Sequence, residues 1–246
     1  MKIFTLLIAI LLYTCLFCVD ASQTPWKIWK DNSSQSVSYR PAIIEGNIDK
    51  KLIEIRATAT VHSSLAGFLV FLQNNDNTQN WLVNAGESKL MRQYSVQKNS
   101  FYIKLTKIWP LQPRILILNS SYWQNHDLSV EIKVTDAINL DNYILSSIKN
   151  LDEYLQVKIY SAHWKIIPML LEGKNRGITI EYIFIVDGRG DTPKWLADHF
   201  TLKSIWKTMR NIRRQLPKEK WQQQTVKGIT ELSTIPITLQ TADFSA

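Results

Sequence analysis

Apolar residues recur at every second position through much of this chain, and once, near its end, at every third or fourth. Residues 52–61 (LIEIRATATV) place Ile53, Ile55, Ala57, Ala59 and Val61 on one face and Glu54, Arg56, Thr58 and Thr60 on the other, the pattern of a strand with one side buried. Residues 128–134 (LSVEIKV) alternate as cleanly, and 178–186 (ITIEYIFIV) are β-branched and aromatic almost throughout, as a buried strand requires. Strand-like runs at 26–29, 37–44, 81–83, 90–96, 101–109, 114–119 and 155–167 are separated by Gly, Asn, Ser and Pro, the residues that turns favour. The pattern predicts an antiparallel meander that ends in a hairpin, with arms at 155–167 and 178–186 joined through 172–177.

Two segments break the alternation. Residues 65–73 (LAGFLVFLQ) are apolar nearly all round and follow Ser63 and Ser64, either of which can cap them, so a short enclosed helix is expected, followed by a polar linker over 74–80. Near the other end, Gly188 and Gly190 permit a sharp reversal, Thr192 is placed to cap a helix, and Pro193 falls at its first position, where a missing N–H costs nothing. Trp195, Leu196, His199, Leu202, Ile205, Trp206, Met209, Ile212 and Leu216 then recur at spacings of three and four, with Lys194, Asp198, Lys203, Lys207, Arg210 and Arg214 mostly opposite. This is a long amphipathic helix with a basic outer face. Residues 141–151 read as a loop with a helical turn, and 218–246 as a polar tail or an edge addition with one weak apolar patch at 235–239. The expected architecture is α+β: a helix-grip fold in which a curved antiparallel sheet wraps a long C-terminal helix and leaves an internal hydrophobic cavity between them.

Composition adds a compartment. Lys2, the apolar stretch 3–19 and Val19-Asp20-Ala21, with small residues where a signal peptidase looks, predict a signal peptide over 1–21 that is cleaved after Ala21. An uncleaved anchor helix is the alternative. The domain is then 22–216, with 217–246 as the tail. The only cysteines, Cys15 and Cys18, lie inside the targeting segment and neither follows the small residue that a lipoprotein signal requires. The mature chain therefore lacks thiols, which excludes disulfides, a cysteine nucleophile and thiolate metal ligands. An exported domain of this size, periplasmic or secreted and held by its core alone, suits a bacterial periplasm. The net charge of +8 is spread along the chain, which permits approach to anionic surfaces without marking a site.

Recognisable catalytic chemistry is missing. His62, His126, His163 and His199 are far apart and form no His-x-x-x-His or His-Glu-x-x-His pair, so no metal site is expected. No Gly-x-Ser-x-Gly elbow occurs, and Gly188-Arg189-Gly190 is too short to cradle a phosphate. Asp187 and Asp191 precede a helix, where carboxylates ordinarily cap or serve the dipole. Tryptophans beside lysines, as at Trp26-Lys27-Ile28-Trp29-Lys30, fit buried or interfacial rings with lysine stems over them better than a nucleic-acid surface.

Several of these pieces together resemble a known family. The strand carrying Ala162, His163, Trp164, Lys165, Ile166, Ile167 and Pro168, then Asp187 and Gly188, then Thr192, Pro193, Lys194, Trp195, Leu196 and Ala197 at the helix start are similar to the steroidogenic acute regulatory protein-related lipid transfer (START) domain. The likeness covers roughly 26–216: residues 63–81 resemble the family's early helix ending in a tryptophan, and 109–114 (WPLQPR) its Pro-Leu-x-x-Arg-Asp segment. Arg114 stands at the arginine, but Ile115 stands where the family has aspartate. The resemblance implies a tunnel that holds a sterol, phospholipid or similar molecule without covalent chemistry, cofactor or metal. A ligand under the last helix would meet Trp164, Phe184, Trp195, His199, Leu202, Trp206 and Met209. The partners implied are that lipid and, transiently, an anionic membrane, with no nucleic acid, and the protein is expected to be a monomer. Two other readings stay open: a helix-grip enzyme of cyclase or hydrolase type using His163 or His199 with an Asp or Glu, and an envelope interaction module with a filled core.

Overall fold

The period-two pattern is realised strand by strand. In the computed structural model the described residues are 24–44, 51–106, 112–137, 145–171 and 175–232; the targeting segment with Cys15 and Cys18, the family-like 109–111 and the apolar patch 235–239 lie outside them. In chain order they form β1 (Lys27–Asn32), β2 (Gln35–Pro41), β3 (Ile53–Val61), α1 (Leu65–Gln73), a 3-10 turn (Asn75–Asn77), α2 (Thr78–Trp81), β4 (Ala85–Ser95) and β5 (Lys98–Leu105). There follow β6 (Arg114–Gln124), β7 (Val130–Asp136), β8 (Leu155–Gln156), β9 (Lys158–Leu171), β10 (Asn175–Asp187), α3 (Lys194–Gln215) and α4 (Glu219–Gln222).

These strands make one curved sheet in the order β1-β2-β3-β10-β9-β7-β6-β5-β4, antiparallel at each step, with short β8 beside β6 in parallel. Alternation sorts its two faces. Ile55, Ala57, Ala59, Trp164, Ile166, Ile178, Ile180 and Phe184 point inward and join Phe68 and Leu69 of α1 and Met209 and Ile212 of α3 in the main core. Small side chains at Ala57 and Ala59 let α3 lie close on β3, and α3 also meets β2 and α2. The outward positions carry ion pairs instead, Arg40 with Glu54 at 2.5 Å and Arg56 with Glu181.

Several boundaries differ from the sequence expectation. Residues 81–83 are not a strand: the 74–80 linker folds as a 3-10 turn and α2, because Asn74 Oδ1 accepts from Asn77 N at 2.9 Å and starts a helical path that buries Trp81. Leu128 takes a left-handed φ of 65° in a turn, so β7 begins later, at Val130. Thr192 does not cap α3. Pro193 is the cap residue, its carbonyl accepting from both Leu196 N and Ala197 N at 3.0 Å. In the preceding turn the left-handed positions are Arg189 and Gly190, whereas Gly188 is needed for close approach, since a Cβ there would sit 3.1 Å from Arg114 Nε.

The stretch expected as a tail is, over 217–232, part of the packed structure. Trp221 is 5% exposed and meets Phe71 edge-on with ring centroids 5.4 Å apart. The same segment satisfies the start of α1, whose first amides are buried and have no partner within the helix. Gln222 Oε1 accepts from Ser64 N at 2.9 Å, and the Glu231 carboxylate accepts from Leu65 N at 3.0 Å and Ala66 N at 2.8 Å. Ser64 Oγ takes Gly67 N at 3.0 Å, so the predicted serine cap is one part of a larger clamp.

A smaller cluster covers the outer face, with Tyr102, Ile115 and Ile117 beneath Ala137 and Ile148. At its edge the buried Lys104 ammonium donates to Lys149 O at 2.7 Å and pairs with Glu87 at 3.0 Å, and Lys89 pairs with the same carboxylate at 2.6 Å. Lys89 first, then Lys104, hold Glu87 down from 4.5 to about 2. A depressed carboxylate stabilises the fold above its unfolded pKa and loses that contribution as pH falls through the folded one. Wild-type urea midpoints should therefore drop more steeply between pH 4.5 and 2 than those of Glu87→Gln; parallel curves would show that the pair is screened by solvent.

Candidate functional site

α3 lies over β2 and β3, and beside that contact a hollow of about 550 Å³ opens between α3 and strands β6, β7, β9 and β10. Its floor is Leu116 and Leu118 from β6, Val134 from β7, Ile159 and Ala162 from β9, and Tyr182, Phe184 and Val186 from β10. Its roof is one stripe of α3, namely Ala197, Thr201, Ser204, Ile205 and Thr208 with Phe200. Charged groups are confined to this outer hollow, where Lys51, Arg114, Asp187, Arg189, Lys194 and Asp198 contribute to the lining. A second, inner hollow of about 160 Å³ lies between α1, α2 and strands β5 to β7 and shares the walls Leu118, Val134, Tyr182 and Ile205 with the first. Trp164, Tyr182 and Phe184 stack along the floor between them, with ring centroids 3.9 and 4.7 Å apart. Burial pushes the Tyr182 phenol far above its ordinary pKa of 10.0, as an apolar setting does.

Arg114 is a strut at the rim. Nε donates to Gly188 O at 2.8 Å, Nη1 to Gln112 O at 2.8 Å and Nη2 to Arg189 O at 3.2 Å, so the start of β6 is tied to the turn that aims α3. Burial lowers its pKa and nearby Asp187 opposes that. The family-like arginine thus works on backbone carbonyls, consistent with Ile115 standing where an aspartate would be.

The seven residues expected to meet a ligand are divided by the structure. Trp164 lines the inner hollow and Phe184 the outer one. Trp195 is 71% exposed and His199 is also exposed, both on the solvent side of α3. Leu202, Trp206 and Met209 are buried but press on the sheet elsewhere, Trp206 meeting Trp29 edge-on at 6.5 Å beneath the Lys30 ammonium. None of these five lines either hollow. The reason is that α3 buries two faces: an apolar one on β1 to β3, which dominates the sequence pattern, and a second one over the hollow made of small and weakly polar residues. Ala197, Thr201, Ser204 and Thr208 recur at spacings of four, three and four, a stripe that hydrophobicity alone passes over. The possible acid–base pair does not face the hollow. His163 Nε2 lies 2.9 Å from Glu131 Oε2, beside Trp123, on the outer face opposite Ala162 and Trp164.

No family model and no curated protein matches the chain. Solved structures do. Human StAR-related lipid transfer protein 5 superposes with a TM-score of 0.64 over 87% of this chain and 97% of its own, at 12% identity. Human STARD10 gives 0.59 over 82% and 81%, at 16% identity. A STAR-related lipid transfer protein fragment from Xanthomonas axonopodis gives 0.57 over 79% and 100%, at 18% identity. The chain has the START-domain fold, the helix-grip arrangement that the alternation and the terminal helix predict.

Proposed function

We propose that the protein is an exported, monomeric carrier that holds a hydrophobic molecule non-covalently under α3. The observation that carries this is the apolar hollow of about 550 Å³, within the range of small-molecule sites. Burying a lipid in such a space yields about 0.8 kcal/mol per methylene, so tight holding needs no covalent bond. The proteins that share the fold are named for lipid transfer, which supports the same reading.

Entry is through the first two turns of α3. Every buried residue of that helix lies at or beyond Leu202, and its polar anchors to other elements lie there too. Gln35 Nε2 donates to Trp206 O at 3.1 Å, Asn211 Nδ2 to Trp81 O at 3.3 Å and Arg213 Nε to Thr60 O at 3.2 Å. Residues 194–201 roof the outer hollow without such ties and form the lid. Trp195, Lys194, Arg189 and Lys51 beside the opening suit an anionic bilayer, with the indole in the interface and the cations on headgroups. Residues 1–21 direct export, and the mature chain begins at Ser22.

The test is transfer of a fluorescent sterol or phospholipid between vesicles, with amide exchange followed on the same protein. Saturable transfer, faster onto anionic acceptors, with 194–201 exchanging faster than 205–215, is the expected result. No transfer of either probe, or uniform protection along α3, contradicts it.

A further inference from the structure

The two hollows differ in what lines them. Among the described residues, no Asp, Glu, Lys, Arg or His lines the inner one. Its polar groups are turned away or engaged. Trp81 Nε1, Asn99 Oδ1 and Tyr122 Oη are closed off even from water, so they do not face the space. Asn75 Oδ1 accepts from Ser88 Oγ at 3.1 Å, and Thr208 Oγ1 accepts from Val83 N at 3.2 Å. Leu69, Leu72, Phe101, Ile103, Leu116 and Ile132 present hydrocarbon. An ion brought here would lose its water with no contact to offset the loss.

The outer hollow is charged on its solvent side. Lys51, Arg114, Arg189 and Lys194 line it against Asp187 and Asp198, and Lys51, Arg189 and Lys194 are exposed. Lys194 pairs with Asp198, while Arg114 donates to backbone carbonyls. That leaves Lys51 and Arg189 against the one carboxylate of Asp187, whose Oδ1 already accepts from Arg189 N at 2.8 Å. The rim is therefore positive. Leu116, Leu118, Val134, Tyr182 and Ile205 line both spaces, so a single layer of mostly apolar side chains lies between them. The inner volume, about 160 Å³, is close to that of an engineered apolar cavity that admits benzene, room for about six carbons. That suits the end of a chain better than a fused-ring skeleton.

We propose that the ligand is a long-chain amphiphile with an anionic carboxylate or phosphate head, taken chain-first. Its methyl end lies in the inner hollow, its chain beneath α3 and its head at the positive rim. This rests on the carrier reading above and narrows it. The test exposes the full chain to two photoreactive palmitates, one with a diazirine at the methyl end and one with it beside the carboxylate, and maps the labelled peptides. The methyl-end probe should label 69–81 and 99–103, which line only the inner hollow, and the head-end probe 186–201, which line only the outer one. Palmitate or hexadecyl phosphate should displace both probes about tenfold more tightly than hexadecyltrimethylammonium, which puts the opposite charge on the same chain. Displacement by one of the two anions alone supports the inference and identifies the head. Ser120 lines the inner hollow from the face of β6 that carries Leu118 and Tyr122, so the ring of Ser120→Phe should drive the methyl-end label out to the outer hollow. Reversed labelling, inner walls labelled by neither probe, a hold on the cation as tight as on both anions, or unchanged labelling in Ser120→Phe overturns chain-first binding and leaves the carrier reading intact. Absence of any displaceable label overturns it too, and if fluorescent sterol and phospholipid also fail to bind, the carrier reading falls with it.

Discussion

Ser204→Trp should lower affinity for a long-chain lipid about a hundredfold while leaving the fold in place. Ser204 belongs to the stripe of α3 that roofs the outer hollow, and an indole there fills space that hydrocarbon would occupy. Displacing roughly four methylenes at about 0.8 kcal/mol each forfeits about 3 kcal/mol, or two powers of ten in affinity. The contacts that hold the helix on the sheet, at Leu202, Trp206, Met209 and Ile212, point elsewhere and are untouched. Lys203→Trp puts the same ring on the solvent side and should bind like wild type. Fluorescent-lipid titration of the three proteins checks this, with near-ultraviolet circular dichroism as the control for folding. Undiminished binding by Ser204→Trp would move the ligand out from under α3.

The largest effect on stability is expected at Trp221. Trp221→Ala opens a cavity beside Phe71 and loosens the clamp that Gln222 and Glu231 place on the start of α1, a loss of about 3–5 kcal/mol for a fully buried aromatic. The loss falls toward the lower end because the indole N–H has no partner, and removing an unpaired buried donor returns about 1 kcal/mol. Trp221→Phe keeps a ring against Phe71 and discards that donor but leaves a smaller void, so it should lose clearly less than Trp221→Ala, about 1–2 kcal/mol. Urea denaturation followed by circular dichroism measures both. A Trp221→Ala variant as stable as wild type would make 217–232 dispensable, contrary to its packing.

What the sequence made legible follows from how each signal is encoded. Residues 53–61 and 178–186 show their burial because a strand writes its two faces into alternate positions. The start of α1 was readable as a serine cap because Ser64 is local to it. Its other ligands, Gln222 and Glu231, come from more than 150 residues away, and nothing in the polar 218–232 sequence announces them. The long helix was legible and its cavity face was not. Hydrophobic periodicity locates the side pressed on β1 to β3, so Leu202, Trp206 and Met209 stood out, while Ala197, Thr201, Ser204 and Thr208 look like gaps in the pattern. Trp195 and His199 fall on solvent for the same reason: helical spacing places them near the apolar arc without saying where the sheet ends.

Native mass spectrometry of the protein purified from its own host is the most direct examination of whether α3 encloses a lipid. Wild type should carry a single hydrophobic adduct per chain that organic solvent removes, and Ser204→Trp should fly bare. A bare wild-type chain that also fails to gain mass after incubation with lipid vesicles would mean that the space under α3 holds nothing.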